Sequence, residues 1–309
     1  MASKILFVAA TTQLALPKRT AGPIALWHLL SLDAPTVAAL WVYFIARACH
    51  VRLPLATPAA MALAVWILYA SDRILDARQF DVRRNGYTLE LEARHRFHHR
   101  HRRAFLIGIA LAAAALAALL HSLDPAVIRL YLIEGALLVA WFLILHSTPA
   151  AHRLTAHPIP RPRPKEIAVG LFFSAAIFIP TIARAPALRP TLLPCALLFA
   201  ALCSLNCLFI YAWEHEGPNP AVAPPHATTR LALRHLPAIA GVLATAGAIL
   251  ALFDRAVSKP IPAACALAAL LLLLLDRHRR SLSRTDLRAA ADLALLTPLL
   301  LLLFLPLRF

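Results

Sequence analysis

The stretch from Leu68 to Arg103 reads LYASDRILDARQFDVRRNGYTLELEARHRFHHRHRR; an apolar helix runs unbroken into carboxylates, and arginines and histidines follow. Asp72 and Asp76 lie one helical turn apart, so a continuing helix points them the same way. Two carboxylates so placed can share a divalent cation, and ionisable groups at a membrane surface mark function more often than accident. Whether this helix belongs to a membrane depends on what surrounds it.

Hydrophobic residues make up 61% of the 309 and charged residues only 15%, outside the range of soluble domains. That composition defines an integral membrane protein. A net charge of +16 would suit a nucleic-acid partner, but the 31 Lys and Arg are divided among short segments between apolar runs. Such a distribution orients membrane helices, and it excludes a nucleic-acid role. The five cysteines, Cys49, Cys195, Cys203, Cys207 and Cys265, form no Cys-x-x-Cys pair and read as small core residues. Residues 1–22 read as a cytosolic leader, because Lys18 and Arg19 follow the short apolar stretch Ile5 to Ala10 on the wrong side for a signal peptide.

A bilayer crossing needs about 20 apolar residues. Nine segments come close to that: 24–46, 54–75, 103–121, 125–145, 166–184, 190–213, 230–252, 259–275 and 289–307. The expected fold is therefore an all-α, polytopic bundle of about nine transmembrane helices, a single domain over 23–309. With nine crossings, 23 of the 31 basic residues fall on the side of the N-terminus. The N-terminus is then cytosolic and the C-terminus outside, in a plasma membrane of the bacterial inner-membrane kind. Asp72, Asp76, Glu166, Glu214 and Asp292 all reach cytosolic helix ends, whereas Asp33 and Glu134 lie deeper. A deep acid either bonds a neighbouring helix or lines a polar cavity.

Three groups carry chemistry in this arrangement. The first is the acidic turn Asp72, Asp76 and Asp81. The second is Arg163 and Lys165, delivered by the proline-rich loop AHRLTAHPIPRPRPKE to the start of the fifth segment. The third ends the sixth segment, NCLFIYAWEHE, with Asn206, Glu214 and Glu216. Residues 72–103 and 146–165 then form cytosolic loops over a cavity. Carboxylates facing lysine and arginine across a cavity are what a diphosphate with its Mg²⁺ ions requires. The loop from Gly217 to Thr229 is an uncharged linker, and no internal repeat is evident.

These pieces resemble the UbiA superfamily of intramembrane prenyltransferases over most of the chain, from about Ile24 to Phe309. In that family the first motif is Asn-Asp-x-x-Asp-x-x-x-Asp. Here Ser71 stands at the Asn position, Asp72 at the first Asp, and Asp76 one residue later than the pattern places it. The second motif, Asp-rich in the family, here has Asn206, Glu214 and Glu216. The resemblance implies transfer of an isoprenoid from a prenyl diphosphate to an acceptor, with Mg²⁺ held by Asp72, Asp76, Asp81, Glu214 and Glu216. It implies catalytic roles for Asp72, Asp76 and Lys165, substrate contacts from Arg73, Arg163 and Asn206, and membrane lipid as the surroundings. A non-catalytic relative that binds or moves a prenyl lipid is the second reading.

A third reading comes from the histidine run, in which Glu92, His95, His98, His99 and His101 have the spacing of one box of the membrane desaturases and hydroxylases. His146, His152 and His157 make at most one loose partner box, so this reading lacks a third. The alternative is a basic amphipathic helix at the headgroups, with Phe97 dipping inward.

Overall fold

The computed structural model describes residues 23–80, 97–98, 100–146, 165–215, 226–254 and 258–304. Among the described residues there are helices and turns and no strand. In chain order the helices are α1 (Pro23–Leu29), α2 (Asp33–Ala48), α3 (Ala56–Phe80), α4 (Arg102–Leu120), α5 (Pro125–His146) and α6 (Lys165–Arg184). They continue with α7 (Arg189–Glu214), α8 (Ala227–Arg234), α9 (Leu236–Phe253), α10 (Pro260–His278), α11 (Arg284–Ala294) and α12 (Pro298–Leu302).

Among the described residues six helical stretches are long and apolar enough to cross a membrane, an architecture compatible with an integral membrane protein. They are Ala56–Leu75, Arg102–Leu120, Lys165–Arg184, Pro186–Glu214, Leu236–Phe253 and Pro260–Ser281. Helix α5 is comparable in length at 22 residues, and Arg129 and Glu134 interrupt its apolar run. The expected segments 24–46, 230–252 and 289–307 are each two helices, the second divided at His235, and the first of these breaks has a clear physical cause. Ser31, with φ of 58°, occupies the left-handed position that ends a helix. Its amide donates to the His28 carbonyl and the Leu32 amide to that of Trp27, which is the Schellman pattern. Glycine is the usual occupant of that position.

Helix α2 sits at the centre, against α3, α6, α10, α11 and α12. Trp41, Val42, Phe44 and Ile45 are completely buried, and Trp41 donates from Nε1 to the Leu295 carbonyl at 2.8 Å. Helix α7 forms the second axis, packed on α6, α9, α10 and α11. By contrast α4 leans on α3 and α5 on α6, and both leave leucines outward: Leu111 on α4, and Leu132 and Leu143 on α5.

Lipid tails are as apolar as leucine, so helix association within a bilayer depends on close fit rather than on apolar burial. Small residues supply that fit. Between α6 and α7, Gly170 lies against Ala200 and Ser204, and the Ser174 hydroxyl donates to the Ala196 carbonyl at 2.7 Å. Between α9 and α10, Gly247 faces Pro262 and Ala266, and Ala240, Ala264, Ala268 and Ala269 are fully buried.

Pro180 lies inside α6 and removes the amide that would otherwise bond the carbonyl of residue 176. Tyr131 of α5 replaces it, its hydroxyl donating to the Ala176 carbonyl at 3.0 Å. Tyr131→Phe therefore leaves a carbonyl unsatisfied in apolar surroundings, and a loss of about 1–2 kcal/mol is expected. Thermal unfolding in detergent measures it, and wild-type stability would refute this role for the hydroxyl.

At the turn between α4 and α5, Asp124 accepts from the Ala126 amide at 2.9 Å and from Arg184 at 3.1 Å. These two contacts hold its carboxyl below the usual carboxylate range.

Candidate functional site

The turn that joins α1 to α2 carries a cluster of buried polar side chains. His28, Ser31 and Asp33 are each at most 2% exposed. The Ser31 turn reverses the chain, so the imidazole at the end of α1 falls onto the carboxylate that opens α2. His28 Nδ1 and Asp33 Oδ2 are 2.6 Å apart, and Asp33 Oδ1 accepts from the Ala34 amide at 3.0 Å.

Helix α3 clamps this turn. Arg73, 6% exposed, donates from Nη1 to the His28 carbonyl at 3.0 Å and brings Nη2 to 3.7 Å from Asp33 Oδ2. A guanidinium is suited to this position because it bonds a helix-terminal carbonyl and a carboxylate at once. Trp66 adds a bond from Nε1 to the Leu30 carbonyl at 3.1 Å. His98, 1% exposed, lies with Nε2 at 3.3 Å from the Ser31 hydroxyl and stacks on Phe105 at the start of α4.

Two further helices close the centre. Asp292 of α11 places Oδ2 at 4.0 Å from His28 Nδ1, and its Oδ1 accepts from Asn206 Nδ2 of α7 at 3.1 Å. Asn206 is 5% exposed, and its Oδ1 is buried without a hydrogen-bond partner among the described residues. Toward the surface Arg288 pairs with Glu214. Trp213 and Arg279 both donate to Asp276 Oδ1 at 2.9 Å. The Asp292 side chain is 18% exposed, compared with 3% for His28 and 2% for Asp33, so the centre is most open along α11.

The residues expected from the sequence are distributed unevenly around this centre. Arg73 and Asn206 belong to it. Glu214 lies at its rim, held by Arg288. Asp72 is exposed beside the buried Arg73, so the face of α3 turned into the bundle is that of Arg73, Ala70 and Ile74. Asp76 follows on the same helix, three residues beyond Arg73. Lys165 is exposed at the first position of α6 and is outside the network. Asp81, Arg163 and Glu216 lie outside the described residues, as does the leader 1–22.

Of the histidine run, His98 and not Phe97 is the deeper residue, Phe97 being half-buried. His101 turns back onto the Phe97 carbonyl at 2.9 Å. His95 and His99 lie outside the described residues.

Sequence reasoning did not find His28 and Arg288. The available signal was His28 five residues before Asp33, an acid followed by Pro35 as at a helix start. No family model, no curated protein and no solved structure matches this chain.

Proposed function

We propose that the protein is a divergent relative of the UbiA prenyltransferases, moving an isoprenoid from its diphosphate to an acceptor with Mg²⁺. In this reading the chain crosses the membrane nine times, with α1–α2 and α11–α12 each forming one broken crossing. The excess of basic residues on the N-terminal side supports a cytosolic N-terminus and an outside C-terminus.

One observation carries the reading. Arg73 and Asn206, far apart in sequence and both expected at a diphosphate site, share one buried network with two carboxylates inside an apolar bundle. Asp72 and Asp76 follow at the same end of α3, where Mg²⁺ would be held with Asp81, Glu214 and Glu216. The leaving diphosphate requires cations and metal rather than covalent help, which is the part given to Lys165, Arg163 and Arg73. The activity is a property of this site and not of the bundle shape, so it must be tested at the site.

Purified protein incubated with labelled prenyl diphosphates, Mg²⁺ and a membrane extract is expected to release diphosphate. Asp72→Ala combined with Asp76→Ala is expected to slow release at least about tenfold. Release that never occurs, or that the double variant leaves unchanged, refutes the enzyme reading.

A second reading, a protein that binds or moves a prenyl lipid without chemistry, is supported by a separate observation. Arg73 and Glu214 are already engaged by protein partners. Retention of prenyl diphosphate without turnover is its signature.

A further inference from the structure

We infer that His28, Asp33, Asp292 and Asn206 form a binding site for a first-row divalent metal of the Mn²⁺ or Zn²⁺ class. The ligands belong to the buried network described above and are distinct from the aspartates at the end of α3, and metal binding there does not depend on a prenyl diphosphate being the substrate.

The geometry is the first argument. One ligand atom from each of His28, Asp33 and Asp292 lies within 4.8 Å of the other two. The His28 Nδ1 to Asp33 Oδ2 separation is 2.6 Å and the His28 Nδ1 to Asp292 Oδ2 separation is 4.0 Å. Donors bound about 2.0–2.2 Å from one cation lie roughly 3–3.5 Å from each other, between these two values. Small side-chain adjustments therefore bring all three atoms onto one ion.

The second argument is the Asn206 amide. Its Oδ1 is buried and has no hydrogen-bond partner among the described residues, at a residue 5% exposed, while its Nδ2 touches Asp292. A buried acceptor without a donor costs free energy, and native structures contain few of them. A cation held by Asp292 satisfies it once the amide is turned over. The two amide atoms are distinguished only by their bonding partners, and exchanging them turns Oδ1 toward Asp292, where a shared cation would draw both oxygens.

The third argument is charge. Asp33 has Arg73 at 3.7 Å, whereas Asp292 is bonded by a neutral amide and by the Asp33 carboxyl itself, and Arg288, whose charge also reaches it, is paired with Glu214. A buried carboxylate needs a cation or a proton. The donor set then selects the metal: an imidazole nitrogen with carboxylate and amide oxygens suits Mn²⁺ or Zn²⁺, whereas Mg²⁺ prefers oxygen and water alone. Asp292, on α11, is the most exposed of the ligands.

The experiment uses full-length protein in detergent, stripped with a chelator, reloaded with MnCl₂ or ZnCl₂ and freed of excess metal. Elemental analysis is expected to find one equivalent per chain, accompanied by a rise in melting temperature. Asp292→Asn keeps the shape of the side chain and is expected to weaken binding at least tenfold, with the melting temperature of the stripped protein shifting less than that of the loaded one. His28→Gln is the second variant, in case the first fails to fold. A variant carrying His99→Ala and His101→Ala tests the competing histidine run and is expected to retain the full equivalent.

Absence of retained metal would mean that a proton neutralises Asp292, and the proposal fails. It fails equally if the His99 and His101 variant loses the metal while Asp292→Asn and His28→Gln keep it. Because no prenyl diphosphate is present, these outcomes are independent of diphosphate release.

Discussion

Asp33→Ala is expected to destabilise the protein by about 3–5 kcal/mol, the usual cost of removing one partner from a buried ion pair. Asp33 is 2% exposed and lies 3.7 Å from the guanidinium of Arg73, itself 6% exposed. Its removal leaves that cation without its carboxylate and takes from His28 the partner at 2.6 Å. Both losses fall on the turn that holds α1, α2, α3 and α11 together. If the stranded charge is the cause, relieving it repairs the damage. Arg73→Met in the Asp33→Ala background is therefore expected to recover more than half of the loss, a coupling that a double-mutant cycle measures directly. Reversible unfolding in mixed micelles provides the readout. A single variant within about 1 kcal/mol of wild type, or a double variant no better than the single, would refute the view that this pair organises the centre.

The helical segments were legible because an apolar run long enough to cross a bilayer leaves few alternatives to a helix. Observed helix ends fall within a few residues of the expected ones over most of the chain. The broken segments were not legible, and Ser31 explains why. A left-handed helix end is usually announced by glycine, and a serine in that position carries no such mark. His50, with φ of 56°, ends α2 in the same unannounced way.

The candidate site was legible only in part, for a related reason. Asp72 and Asp76 share a turn of α3, but helical spacing alone does not reveal which face enters the bundle. The buried side chain between them, Arg73, shows that the inward stripe runs beside Asp72. Asp33 reads from the sequence as a deep acid that either bonds a neighbouring helix or lines a polar cavity, and its partners His28 and Arg73 depend on a turn that the sequence does not announce. Asn206 and Asp292 both stand out as polar residues in apolar segments, yet nothing in the sequence pairs residues on α7 and α11. That juxtaposition is a product of packing, and packing here is controlled by small residues.

Gly170→Leu is the strongest test of that packing. A Cβ placed on Gly170 overlaps the Ser204 hydroxyl and the Ala200 carbonyl and lies 2.9 Å from the Ser204 amide nitrogen. Two of these three atoms belong to the α7 backbone. The third, the Ser204 hydroxyl, is tied to the Ala200 carbonyl at 2.9 Å. No flexible side chain is available to yield, so α6 and α7 must separate along the seam that also carries the bond from Ser174 to Ala196. Overpacking costs about 1–3 kcal/mol where side chains can shift, and more where only backbone can. The leucine variant is expected to exceed 3 kcal/mol, roughly, and to lose its monodisperse peak on gel filtration. Gly135 on α5 is the control, since nothing lies within 4 Å of a Cβ placed there. Gly135→Ala is expected to leave the protein unchanged or to stabilise it by about 0.5–1 kcal/mol, because alanine loses less backbone entropy in a helix. If Gly170→Leu behaves like Gly135→Ala, the α6–α7 seam is not the close contact that positions Asn206 opposite Asp292.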